Sequence, residues 1–236
     1  MAEPLVLLPG MMCDARLFGP QIAELSANIA VTVAPITGGE RIEEIASGLL
    51  DLLPRRFALA GAGLGGNVAM ELLRRAPERV SRIALIATSP LAETPQVAGE
   101  RESQIIAART GRLVAAVQER LPKSALAPGA YRDEVVALML DMAETLGADV
   151  FVRQSRALQR QRDQQKTLRT CKVPALVLCG VHDTICPVQR HSFMAELIPS
   201  AELVVLDHSG HLPSLEQPGE TTDALLRWMK APMLLR

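Results

Sequence analysis

The stretch Phe57-Ala-Leu-Ala-Gly-Ala-Gly-Leu-Gly-Gly66 decides the fold of this 236-residue chain. An apolar run ends in glycines, and residues 67–75 then carry apolar side chains at helical spacing. This order predicts a buried strand, a sharp turn and a helix. Glycine suits such a turn because it adopts a positive φ without the steric cost that a side chain brings.

The same alternation of strand and helix recurs along most of the chain. Residues 41–53, 187–198 and 221–230 show helical patterns between apolar runs. A repeated alternation of this kind implies parallel strands joined by right-handed crossover helices. We therefore predict an α/β fold, with a mostly parallel sheet of about six strands and helices on both faces. The other predicted strands cover residues 4–8, 29–34, 80–87, 174–180 and 202–207.

Residues 91–170 interrupt this alternation with helical patterns and no visible strand. We expect a helical cap here, inserted between two strands of a core domain that comprises residues 1–90 and 171–236. The end of the segment is basic, which favours either a solvated helix face or a rim that attracts anions. The predicted helices of the cap cover residues 99–121, 132–146 and 148–168. The basic residues are Arg153, Arg156, Arg160, Arg162, Lys166, Arg169 and Lys172.

The composition argues against nucleic-acid and membrane partners. Lysine and arginine number 25 against 26 acidic residues, a formal net charge of −1, and aromatic residues make up 3%. Such a chain has neither an excess of cations for phosphates nor many rings on which bases stack. No apolar run reaches the roughly 20 residues that span a bilayer, and the N-terminal segment lacks the basic start of a signal peptide. We expect a cytoplasmic location.

The four cysteines show no metal-site spacing. We expect free thiols in a reducing compartment, and neither a metal nor a cofactor. Among the histidines, His182 and His208 are expected on exposed loops, and His191 on the surface of a helix. The oligomeric state stays open.

Two further motifs follow predicted strands near the C-terminus. Asp183 lies in Gly180-Val-His-Asp-Thr-Ile-Cys-Pro187, and His211 lies in Ser209-Gly-His-Leu-Pro-Ser-Leu-Glu-Gln-Pro218. The carboxyl ends of parallel strands meet at one edge of a sheet, so both side chains are expected near the glycine turn. The segment Gly61-Ala-Gly-Leu-Gly65 resembles the nucleophile elbow of the α/β-hydrolase superfamily, and the segments that contain Asp183 and His211 resemble its acid loop and its histidine loop. The three segments also follow one another in the chain order of that superfamily: elbow, acid, histidine.

Within that superfamily, the chain is similar to small bacterial capped carboxylesterases of the BioH type. The similarity includes the opening segment Leu-Leu-Pro-Gly-x-x-Cys-Asp-Ala-Arg-Leu at residues 7–17. It implies a hydrolase of small carboxylic esters with a Ser-His-Asp mechanism. A small-molecule substrate or ligand would then bind between the core and the cap.

The resemblance also implies a role for each site position. His211 corresponds to the general base and Asp183 to the acid that orients it. The backbone N–H groups of Leu64 and Met11 correspond to the oxyanion hole. Gly63 occupies the position of the nucleophilic serine, which is absent. We therefore predict that acyl-enzyme chemistry is absent or very weak.

Three possibilities stay open at this point. The chain is a hydrolase that lost its nucleophile, by drift or by an engineered change; or a serine-independent hydrolase or lyase that uses His211 and Asp183; or a non-catalytic ligand-binding protein. Cys13, after the first strand, is a candidate for a substitute nucleophile. A phosphate-binding loop is disfavoured, because residues 61–66 lack the Lys and the Ser or Thr that such a loop carries.

Overall fold

Six parallel strands form one sheet in the computed structural model, which describes residues 3–233. The strand order is β2-β1-β3-β4-β5-β6, and every pairing between these strands is parallel. The predicted α/β fold with about six strands is confirmed. The strands are β1 (Leu5–Leu8), β2 (Val31–Val33), β3 (Phe57–Ala62), β4 (Val80–Ile86), β5 (Ala175–Gly180) and β6 (Ala201–Leu206).

Helices cover both faces of the sheet. They are α1 (Gly19–Leu25), α2 (Ile42–Leu50), α3 (Leu64–Arg75), α4 (Pro95–Arg109), α5 (Leu113–Arg120), α6 (Arg132–Leu146), α7 (Ala148–Gln159), α8 (Gln165–Arg169), α9 (Val188–Leu197), α10 (Pro213–Glu216) and α11 (Pro218–Lys230). Short 3-10 helices cover Ala15–Phe18 and Lys123–Ala125. Within residues 3–233, none of the helices combines the length and apolar character needed to cross a membrane.

The central strands are apolar on both faces because the core lies on both sides of them. Every residue of β3, β4 and β5 is buried. Alternate side chains of β1 enter different clusters: Leu5 and Leu7 pack with Leu25 of α1, whereas Val6 and Leu8 pack with Val68 of α3. This two-sided burial explains the continuous apolar runs in the sequence.

The turn between β3 and α3 needs glycine for close packing. A Cβ on Gly65 would lie 2.2 Å from the carbonyl oxygen of Leu8, and one on Gly61 would lie 2.3 Å from the carbonyl oxygen of Gly65. Real Cβ atoms do not approach backbone oxygens so closely. These glycines bring the start of α3 against the end of β1, and so fix where the loops of the two strands meet.

Two of the predicted helical segments are each divided. Residues 99–121 form α4 and α5, separated at Gly111, whose φ of +83° is not helical. Residues 148–168 form α7 and α8, and the Asp163 carboxylate accepts the Gln165 N–H at 2.9 Å where α8 begins. Helical periodicity alone does not show such breaks, because the apolar spacing resumes beyond them.

Candidate active site

Asp183 and His211 form a hydrogen-bonded pair at the carboxyl ends of β5 and β6. His211 Nδ1 lies 2.8 Å from Asp183 Oδ2, and the Asp183 side chain is buried. Asp183 Oδ1 accepts the N–H groups of Ile185 and Cys186, both at 2.8 Å. Burial alone would raise the pKa of Asp183, but the charge and hydrogen bond of His211 and these two N–H groups outweigh it and lower the pKa.

Gly63 faces the other nitrogen of that histidine. Its φ of +49° and ψ of −118° place it in a conformation that side chains rarely adopt. A Cβ built on Gly63 would lie 3.8 Å from His211 Nε2, 3.7 Å from the Gly10 Cα and 3.9 Å from the carbonyl oxygen of Ala87. These are ordinary van der Waals distances, so the site has room for a side chain here, in contrast to the crowding at Gly65.

A hydrogen-bonded chain behind the turn holds the Gly63 backbone. Gly63 N–H donates to the carbonyl oxygen of Ile86 at 2.9 Å, and Thr88 Oγ1 donates to the carbonyl oxygen of Gly63 at 2.8 Å. Thr88 N–H in turn donates to His191 Nε2 at 3.2 Å. The turn is therefore fixed by groups other than the side chain that it lacks.

His191 is fully buried, so the expectation of a surface position was wrong. Its Nε2 accepts the Thr88 N–H, and its Nδ1 lies 3.3 Å from the carbonyl oxygen of Pro187. Desolvation by burial lowers the pKa of His191 to about 4, so the ring is neutral at physiological pH. A neutral ring that donates from Nδ1 and accepts at Nε2 satisfies both contacts. The helical position of His191 gave no sign of this role.

Two backbone N–H groups beside Gly63 are available to a ligand. Leu64 is the first residue of α3, where N–H groups have no partner within the helix, and Met11 lies in the loop after β1. Neither N–H donates to an acceptor within residues 3–233. Both residues line the cavity described below. The predicted oxyanion positions therefore carry free donors on the same side as the histidine.

Gln154 of α7 holds the loop that carries Met11. Its Oε1 accepts the Met12 N–H at 2.8 Å, and its Nε2 donates to the carbonyl oxygen of Ile36 at 3.2 Å. Met12 has a φ of +55°, which is unusual for a residue other than glycine. The fully buried Gln154 side chain bonds its N–H and so helps to hold this conformation. Sequence reasoning missed Gln154, because a glutamine within a helix carries no motif.

A cavity of about 470 Å³ opens above Gly63 and His211. Loops at the ends of the strands form its floor, and residues from α4 to α7 line its other sides. The apolar lining includes Val117, Met139 and Phe151. Its volume falls in the range of small-molecule sites.

The thiols near this cavity are poor nucleophiles. Burial, and to a lesser extent Asp14, raises the pKa of Cys13 to about 12, so the substitute-nucleophile hypothesis gains no support.

Atoms of Asp183, Cys186 and His211 lie within 4.8 Å of one another, as metal ligands would. However, both Asp183 oxygens already accept protein N–H groups. Burial and Asp183 also raise the pKa of the Cys186 thiol to about 12.

The basic residues near the end of the inserted segment lie elsewhere. Arg156 pairs with Glu102, and Arg160 with Glu40. None of the basic residues between positions 153 and 172 contributes to the cavity lining. This arrangement favours the solvated-face interpretation over the anion-attracting rim.

Comparison with known proteins agrees with this fold. The sequence profile described as "Alpha/beta hydrolase family" matches residues 5–224. A pimeloyl-[acyl-carrier protein] methyl ester esterase from Aromatoleum aromaticum is 28% identical, over 91% of this chain and 93% of that protein. A putative carbamate hydrolase RutD from Pseudomonas savastanoi is 28% identical, over 98% and 95% respectively. A solved thermophilic esterase from Thermogutta terrifontis has a TM-score of 0.87 at 24% identity, covering 97% of this chain and 89% of that one, which shows the shared fold.

Proposed function

Because the chain belongs to the α/β-hydrolase family, we propose that its cavity binds a small carboxylic ester and hydrolyses it slowly without an acyl-enzyme. His211, oriented by Asp183, acts as general base toward a water molecule. Acyl-enzyme chemistry is absent or very weak, because Gly63 offers no hydroxyl. We also propose that residues 91–170 act as a helical cap, since helices from this segment line the same cavity as Gly63.

The observation that carries the proposal is the 3.8 Å between His211 Nε2 and the place of a Cβ on Gly63. A serine oxygen one bond further out would fall within hydrogen-bond reach of Nε2. Without that side chain, the same space suits a water molecule. The Asp183 carboxylate fixes the proton on Nδ1 and leaves Nε2 as the acceptor that a base requires.

The proposed step balances as an ordinary ester hydrolysis. The water oxygen bonds to the carbonyl carbon as His211 Nε2 takes one of its protons. The carbonyl oxygen gains the negative charge and accepts the N–H groups of Leu64 and Met11. When the tetrahedral intermediate collapses, the bond to the alcohol oxygen breaks, and that oxygen takes the proton from His211.

The expected rate is low. Removing a triad nucleophile costs up to roughly a million-fold in kcat, while binding and the oxyanion site retain about a thousand-fold over water. Because no covalent intermediate accumulates, product release shows no burst. A ligand-binding protein without turnover, and a lyase that uses His211 to remove a substrate proton, are the competing possibilities.

Hydrolysis of short p-nitrophenyl esters tests the proposal. We expect slow turnover without a burst, which His211→Ala abolishes and His208→Ala leaves unchanged. His208 is the matched control because it is an exposed histidine outside the cavity. Unchanged turnover in a folded His211→Ala variant contradicts the water route. Ester binding with no turnover at all favours the ligand-binding alternative.

A further inference from the structure

Arg120 places a positive charge at the cavity. It is the last residue of α5, lines the cavity and is only partly exposed to solvent. It lines the cavity together with His211, and the Asp183 carboxylate is close enough for its charge to act on the guanidinium. The arginine is therefore near the Asp183–His211 pair, on the side formed by the inserted helices.

The Arg120 side chain has no hydrogen-bond or ion-pair partner in the part of the chain that the structure describes. None of the ion pairs and side-chain hydrogen bonds within residues 3–233 involves Arg120. The nearby carboxylate of Glu93 is already bound by Arg101, whose Nε lies 2.8 and 2.7 Å from its two oxygens. That pair is nearly buried, with side-chain exposures of 2% for Arg101 and 10% for Glu93.

The other charged side chains of the lining do not neutralise Arg120. Glu100 and Glu119 are exposed, where solvent and salt screen them, and Glu119 accepts a hydrogen bond from Gln104 at 3.2 Å. Arg190 is also exposed and donates to Ser89 Oγ at 3.3 Å. Within the described residues, Arg120 is thus a partly enclosed cation of this cavity without an anionic partner.

Burial, together with the repulsion of Arg101, lowers the pKa of Arg120 to about 10. The guanidinium still carries its full charge at neutral pH. A charge that is removed from water without a partner is unfavourable, and an incoming anion relieves that cost. A carboxylate matches the guanidinium because two parallel N–H donors meet its two oxygens.

We propose that Arg120 is a binding subsite for a carboxylate, so that the ligand of this cavity carries one free carboxylate besides the ester that faces His211. That the ligand carries an ester facing His211 rests on the proposed function, whereas the binding of a carboxylate by Arg120 does not. One guanidinium compensates one negative charge. A dianionic phosphate would leave one negative charge uncompensated in a partly enclosed site, which makes it the poorer ligand.

Calorimetric titration of the intact chain tests this subsite with three probes: monomethyl glutarate, dimethyl glutarate and inorganic phosphate. We expect the monoanionic monoester to bind at least about tenfold more tightly than the neutral diester, the worth of a partly buried charge pair. Arg120→Gln should remove that preference and leave diester binding within about twofold. Arg112→Gln, at the exposed start of the same helix, should keep it.

Arg120→Lys serves if the glutamine variant does not fold, and we expect it to retain part of the preference, because it keeps the charge without the paired donors. Equal binding of monoester and diester, no detectable monoester binding, or full preference in a folded Arg120→Gln variant would each overturn the proposal. Tighter binding of phosphate than of the monoester overturns the carboxylate assignment. Calorimetry detects binding whether or not the bound ester is slowly hydrolysed, so a chain that binds the monoester but never hydrolyses it refutes the proposed function alone.

Discussion

The Nε2 atom of His211 lies 3.8 Å from the place that a Cβ on Gly63 would occupy, an ordinary van der Waals distance. The histidine is bonded on its other side to a buried carboxylate, and the glycine backbone is held by Ile86 and Thr88. None of these contacts needs a hydroxyl at position 63. The acid–base pair therefore keeps its geometry where the nucleophile is missing.

The glycines of the turn should differ sharply in how they tolerate a methyl group. Gly63→Ala costs about 1–3 kcal/mol of unfolding free energy, because only its positive φ opposes a side chain. Gly65→Ala places a Cβ 2.2 Å from the carbonyl oxygen of Leu8, so we expect a larger loss or failure to fold. Urea denaturation of both variants measures the difference. Equal losses would show that the turn is less crowded than described.

Asp183→Asn should reduce activity much more than stability when it is made in a Gly63→Ser background. The asparagine oxygen can still accept the Ile185 and Cys186 N–H groups, but it no longer stabilises the protonated His211 ring. We expect kcat on p-nitrophenyl acetate to fall by about 10³–10⁴ relative to Gly63→Ser alone. Asp207→Asn, an exposed aspartate after β6, is the control with unchanged kcat. A loss below about tenfold for Asp183→Asn contradicts the orienting role.

Burial of His191 should make the protein less stable in mild acid. Its pKa is about 4 in the fold and about 6.5 in the unfolded chain, so the unfolded state binds more protons between these values. The contribution is present above pH ~6.5 and is lost as the pH falls toward ~4. Between about pH 7 and 5, it removes about 2 kcal/mol of unfolding free energy.

The variant His191→Gln isolates that effect. Glutamine can accept the Thr88 N–H and does not titrate. Urea denaturation at both pH values should therefore give a smaller acid loss in the variant by about 2 kcal/mol. Parallel pH profiles for the two proteins would show that His191 does not titrate as its burial implies.

Gln154→Leu should destabilise the loop that carries Met11. The substitution leaves the Met12 N–H and the Ile36 carbonyl oxygen without their buried partner, which costs about 2–4 kcal/mol of unfolding free energy. Gln118→Leu, at an exposed position of α5, should change it by less than about 0.5 kcal/mol. Thermal unfolding of both variants measures this. Similar melting temperatures would mean that Gln154 does not hold the loop.

Sequence predicted the sheet and the positions of Gly63, Asp183 and His211, because each lies in a local motif placed after a strand. The carboxyl ends of parallel strands meet at one edge, so topology alone brings such motifs together. The structure places Asp183 Oδ2 2.8 Å from His211 Nδ1, a distance that no spacing in the chain encodes.

The residues that sequence did not predict depend on partners distant in the chain. Sequence gives no sign that Arg120 lacks a partner, because this depends on Arg101, which binds the Glu93 carboxylate. His191 looks like a surface residue until Thr88 and the sheet bury it. In the basic segment, sequence showed the density of charge but not that Arg156 and Arg160 have acidic partners outside the cavity.

Labelling with a fluorophosphonate, read by intact mass, tests the central claim most directly. Such probes phosphonylate a serine only when a histidine activates its hydroxyl. The unmodified chain should gain no mass and Gly63→Ala should gain none, whereas Gly63→Ser should gain one phosphonyl group and hydrolyse p-nitrophenyl acetate at least about a hundredfold faster. Labelling of the unmodified chain, or a folded Gly63→Ser variant that stays unlabelled and inactive, would contradict the account.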